Sequence, residues 1–100
     1  MPRRLIQLIL SGNNIHGELP NPFPNLPDLT KLAMGDNNLT GTIPENYIHL
    51  DLSVLDLSMN SLTGKIPYLG RLETLILKEN LLTGTIPTGF GGIADSTECK

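Results

Sequence analysis

One sixteen-residue pattern occurs four times in this chain. Aligned on Leu5, Leu29, Leu52 and Leu72, the lines read LIQLILSGNNIHGELP, LTKLAMGDNNLTGTIP, LSVLDLSMNSLTGKIP and LETLILKENLLTGTIP. Each follows L-x-x-L-x-L/M-x-x-N-x-L/I-x-G-x-I/L-P, with all eight template positions filled in every line. The starts lie 24, 23 and 20 residues apart, and the length varies only after the Pro. A unit this short cannot bury an apolar face by itself, so units with such a period must stack into a solenoid. The tolerant stretch after the Pro marks the looser side of each coil.

The template residues explain themselves. In L-x-x-L-x-L the last two apolar positions alternate with variable ones, the signature of a short strand with one buried face. The pairs Leu8/Leu10, Leu32/Met34, Leu55/Leu57 and Leu75/Leu77 are expected inside. Each strand lacks a partner within its unit, so successive units must pair in parallel, with right-handed winding. Asn13, Asn37, Asn60 and Asn80 follow three residues later, where the chain turns inward. A buried Asn amide can satisfy the backbone groups freed there, so the four are expected to form a structural ladder rather than a ligand site. Gly17, Gly41, Gly64 and Gly84 allow the next bend, and Leu19, Ile43, Ile66 and Ile86 point inward. Pro20, Pro44, Pro67 and Pro87 then end any second strand. On the far side, Phe23, Tyr47 and Phe90 are expected to plug the core, and Leu69 alone does so in the short third unit.

The L-x-G-x-I-P tail resembles the plant-type leucine-rich repeat of receptor-like kinases, receptor-like proteins and polygalacturonase-inhibiting proteins. The resemblance spans residues 5 to about 95 and is specific for fold, far less so for function. It implies an α/β-type solenoid with a short parallel sheet on the concave face, a mostly irregular or 3-10 convex side and little regular helix. It also implies that the tail forms a second strand that twists the solenoid. The units are set at 5–28, 29–51, 52–71 and 72–95, after a stub at 1–4 and before a fifth repeat beginning at 96–100, with Cys99 at an inward strand position. The cysteine-paired caps of plant-type ectodomains have no counterpart here, so the isolated chain is expected to be marginal, aggregation-prone or self-associating through its ends. A monodisperse monomer with a cooperative melt would contradict that.

Composition removes several function classes. There is no apolar run long enough to span a membrane. Net charge is -3 with only seven Lys plus Arg, so the basic patch that nucleic acid needs is missing. One cysteine makes no internal disulfide. His16 and His49 fall at different template positions, and no metal spacing, nucleophile elbow or phosphate loop occurs, so neither an enzyme nor a cofactor is expected. The opening MPRRLIQLIL is basic then apolar, but its apolar run is shorter than a signal peptide's and its leucines sit in repeat register. If the receptor-like resemblance holds, the protein is extracellular or tethered to a membrane through other segments.

Function is expected at the outward x positions of the concave strands: Gln7, Ile9, Ser11 and Gly12; Lys31, Ala33, Gly35 and Asp36; Val54, Asp56, Ser58 and Met59; Thr74, Ile76, Lys78 and Glu79. By position, the resemblance gives this face to a protein or peptide ligand, as part of a receptor-like or secreted protein; an intracellular scaffold is the alternative binding module. A mixed polar and apolar face suits such contact. Four strands at about 4.8 Å and five residues of about 3.3 Å make roughly 300 Å², below the roughly 800 Å² per partner of a stable interface. Asn38-Leu39-Thr40 is a glycosylation sequon. A different class rests on Thr40, Thr63 and Thr83, one row of a repeating threonine pattern with Thr42 and Thr85, as on some ice-binding solenoids. His16 and Lys65 interrupt it.

Overall fold

The computed structural model describes residues 6–21, 23, 26–69 and 72–84, and the backbone of 93–95. Strands at the L-x-L positions recur in every coil: β1 (Gln7–Ile9), β3 (Lys31–Ala33), β5 (Val54–Asp56), β7 (Thr74–Ile76) and β9 (Ile93–Asp95). They form one parallel sheet in the order β1-β3-β5-β7-β9. The register is the template's own, with Leu8 beside Leu32, Leu32 beside Leu55 and Leu55 beside Leu75. A parallel pair needs a crossover, and here the rest of each coil supplies it.

The fifth strand departs from the spacing argument. Ala94 pairs with Leu75, so a strand lies at Ile93–Asp95, ahead of the expected start at 96; residues 96–100 lie outside the described residues. A second short-unit step, like the 20 residues between Leu52 and Leu72, brings residues 93–95 into ladder position, whereas the apolar template placed them in the loop. Phe90 and Cys99 lie outside the described residues.

The core is a column of leucine. Leu32, Leu55, Leu57, Leu62, Leu75, Leu77 and Leu82 are all but fully buried, and each such side chain contributes about 2 kcal/mol on leaving water. Leu8 and Leu10, in the first described coil, are only half-buried: among the described residues one coil, not two, packs against them.

The second strands form as the tail implies, but in a different register. They are β2 (His16–Glu18) with β4 (Asn38–Thr40), and β6 (Thr63–Lys65) with β8 (Leu81–Thr83). Gly17 pairs with Leu39 and Gly64 with Leu82, whereas the template aligns Ile15 with Leu39 and Leu62 with Leu82. Each coil therefore slips two residues on this side while the long sheet does not slip. A slip of two keeps every side chain on its own face. It also fixes the glycines: Gly41 has φ +82°, and a Cβ there would lie 2.9 Å from Glu18 Cγ of the preceding coil.

Beyond the prolines the coils differ. Pro44, extended at φ -64°, opens a 3-10 helix (Glu45–Leu50) that ends at Asp51 in a left-handed conformation. It is the one helical segment among the described residues. It buries Tyr47, whose hydroxyl donates to Pro20 O at 2.6 Å and whose ring meets Phe23 edge-on at 5.6 Å. Burial pushes the Tyr47 hydroxyl well above the usual tyrosine range. Leu69 is buried in the short third coil, as its lone position there required.

Candidate functional site

The ladder asparagines are committed to structure. Asn60 Oδ1 accepts from Leu39 N at 3.0 Å, and its Nδ2 donates to Met34 O, Leu57 O and Ser58 O at 3.0, 3.1 and 3.0 Å. Asn37 and Asn80 repeat the arrangement, each reaching one coil back. Asn37, Asn60 and Asn80 are buried, while Asn13, in the first described coil, is exposed.

The outward face of the long sheet is what remains for a partner. Its cross-strand rows run Gln7–Lys31–Val54–Thr74 and Ile9–Ala33–Asp56–Ile76. Hydrogen bonds carry the pairing past the strands, from Gly12 N to Gly35 O and from Met59 N to Lys78 O. Ile9 and Met59 are about half exposed, at 55% and 48%. Gln7, Ser11, Asp36, Lys78 and Glu79 are exposed, and Lys31, Val54, Asp56, Thr74 and Ile76 are half-buried. Ala33, Gly35 and Ser58 depart from expectation: they are buried at the floor of the face and present almost no surface. Gly35 has no side chain, and those of Ala33 and Ser58 are too short to rise past their neighbours. Asp56 Oδ1 accepts from Ser58 N at 3.0 Å and from Ser58 Oγ at 2.7 Å, which fixes that carboxylate over coil two.

Sequence reasoning missed one property of this face. Asp36, Met59 and Glu79 have φ of 54°, 57° and 64°, and Gly12, at the same template position, has 73°. The residue before the ladder Asn is left-handed in every described coil. Gly12 and, more weakly, Asp36, a residue type that tolerates this conformation, were the signals in the sequence, and Met59 and Glu79 hid it.

Other features separate from this face. His16 and His49 lie on different elements, both exposed. Among the described residues no group of three His, Cys, Asp or Glu side chains could hold a metal ion, and no helix is long and apolar enough to cross a membrane. Asn38 is exposed at the start of β4 and donates its amide to Asn14 Oδ1. The two-residue slip breaks the threonine row: Thr40 pairs with Glu18, Thr63 with Leu81 and Thr83 with Lys65. A groove of about 810 Å³ opens between Thr42–Asn46 and Lys65–Pro67, beside the shortened third coil.

Stacked parallel strands, an asparagine ladder and a second strand in each coil define a leucine-rich-repeat solenoid. The leucine-rich-repeat family model matches residues 4–26, 28–50, 51–69 and 71–93, and the chain belongs to that family. It is 38% identical over 72 residues to a probable LRR receptor-like serine/threonine-protein kinase of Arabidopsis thaliana, an alignment covering 71% of this chain and 8% of that protein. It is also 38% identical over 87 residues to Receptor-like protein 35 of the same plant, covering 83% of this chain and 9% of that protein. Among solved structures, the BIR2 ectodomain of Arabidopsis thaliana superposes with a TM-score of 0.77 at 34% identity, covering 84% of this chain and 47% of that one. The chain thus spans less than a tenth of these two receptor-like relatives.

Proposed function

We propose that this chain is a non-enzymatic recognition segment of a receptor-like protein, binding a peptide or protein segment on the outward face of the long sheet. The observation that carries the reading is the division of labour among the side chains. The ladder and the leucines are consumed by the coil, whereas Ile9, Met59, Asp36 and Glu79 are exposed on one continuous sheet face. Exposed apolar groups rimmed by charge suit a protein contact. Five strands give roughly 400 Å², about half of one partner's share in a stable interface, so the face suits a short peptide or one part of a larger contact.

The test is selection of peptides from a random displayed library on the 100-residue chain, followed by competition with variants. Ile76→Asp on the sheet face is expected to abolish capture, and Tyr68→Ser, an exposed residue beyond Pro67, to leave it intact. The reverse pattern would overturn the assignment.

A further inference from the structure

Resting on that reading, the chemistry of the face narrows its partner. Row two places a half-buried carboxylate, Asp56, between the apolar side chains of Ile9 and Ile76, with Ala33 as a low floor next to it. The carboxylate is held in place: Ser58 donates twice to Oδ1, so these two bonds leave Oδ2 as the other acceptor of the pair. Gly35 makes room for this arrangement. Its backbone is not left-handed, yet a Cβ there would lie 2.9 Å from Ser58 Oγ and 3.2 Å from Asp56 Oδ1. The missing side chain therefore serves the placement of Asp56 and Ser58 rather than a turn. Charge points the same way. The outward positions carry Asp36, Asp56 and Glu79 against Lys31 and Lys78, and Lys78 is already engaged by another group.

We propose that the face takes an extended peptide segment whose lysine or arginine side chain seats on Asp56, with apolar side chains on Ile9 and Ile76. Strands about 4.8 Å apart put Ile76 about 5 Å and Ile9 about 10 Å from Asp56 along the row. An extended chain shows alternate side chains about 6.6 Å apart, so a basic residue with apolar residues two places to either side spans the row. Oδ2 is the acceptor for one charge-assisted hydrogen bond, which a lysine or an arginine supplies equally well. Gly35 acts as a positioning residue for that carboxylate.

The experiment uses acetylated, amidated peptide libraries with this apolar pattern and a central lysine, arginine, norleucine or glutamate, captured on the full chain. The basic libraries are expected to be retained about tenfold over the norleucine library, the discrimination of one charge-assisted bond. Asp56→Asn keeps an oxygen for Ser58 and is expected to erase that ratio without lowering the melting temperature. Gly35→Ala is expected to reduce the ratio by crowding the carboxylate, a readout that a merely structural role would not move selectively. Equal capture of basic and norleucine libraries, abolished by Ile76→Asp, would overturn the basic anchor while leaving the sheet-face reading standing. Absence of capture, or capture untouched by Ile76→Asp, would overturn both.

Discussion

Replacing Asn60 by Ala tests the ladder where its cost can be worked bond by bond. The substitution removes one acceptor and one two-proton donor from the middle of the stack. Three of the four partners keep another bond: Met34 O still accepts from Asn37, Leu57 O from Asn80, and Ser58 O from Asp36 N. Only Leu39 N–H, on a residue 1% exposed, is left with nothing. An orphaned buried donor costs about 1–3 kcal/mol, and each of the three lost shared bonds about 0.5–1 kcal/mol, so the sum is about 2.5–6 kcal/mol. A chain of this size has about 5–15 kcal/mol in all. Asn13 holds the same template position, but among the described residues its side chain only donates, to Leu10 O and Ser11 O, from an exposed site. Asn13→Ala should cost about 1 kcal/mol or less. Urea unfolding followed by circular dichroism compares the two at unchanged slope. Equal costs for the two substitutions would refute the coil-to-coil reasoning.

Three further perturbations follow from the geometry. Gly17 and Gly41 are both left-handed, but only Gly41 faces Glu18 Cγ at 2.9 Å. Either Ala substitution should cost about 1–2 kcal/mol in backbone strain; Gly41→Ala should cost about 1 kcal/mol more from overpacking, and Glu18→Ala should recover that excess in the melting temperature. Met59→Gly removes a side chain from left-handed backbone at an exposed site and should stabilise by about 0.5 kcal/mol, read by the same urea titration. The Tyr47 hydroxyl ionises less readily in the fold than out of it, so its contribution is complete below the ordinary tyrosine value near 10 and fades as pH rises above it. Tyr47→Phe should lose about 1 kcal/mol near neutrality with the bond to Pro20 O, and its stability should fall less steeply above that pH.

The solenoid was legible because its template positions are chemically forced. An apolar pair every coil, an Asn three residues on and a Gly-x-Ile-Pro tail each have one physical use, and Leu55, Leu57, Asn60 and Ile66 stand where that use requires. The two-residue slip of the second strands was not legible, since Gly17 beside Leu39 satisfies the same alternation as Ile15 beside Leu39. The position of β9 was hidden for a similar reason: Ala94 occupies a leucine position, and the backbone pairing, not the side chain, identifies it. On the outward face, sequence named the right strands but could not rank their residues. Ala33 and Ser58 are buried, and the left-handed backbone at Met59 and Glu79 leaves no trace in their side-chain chemistry.

Backbone amide shift mapping tests most directly whether a partner meets the long sheet. With a library-selected peptide added to the labelled chain, the largest shifts are predicted at Ile9, Lys31, Val54, Asp56 and Ile76, which share the sheet's outward face. Shifts confined to Thr42–Asn46 and Lys65–Pro67, the walls of the groove beside the third coil, would contradict it.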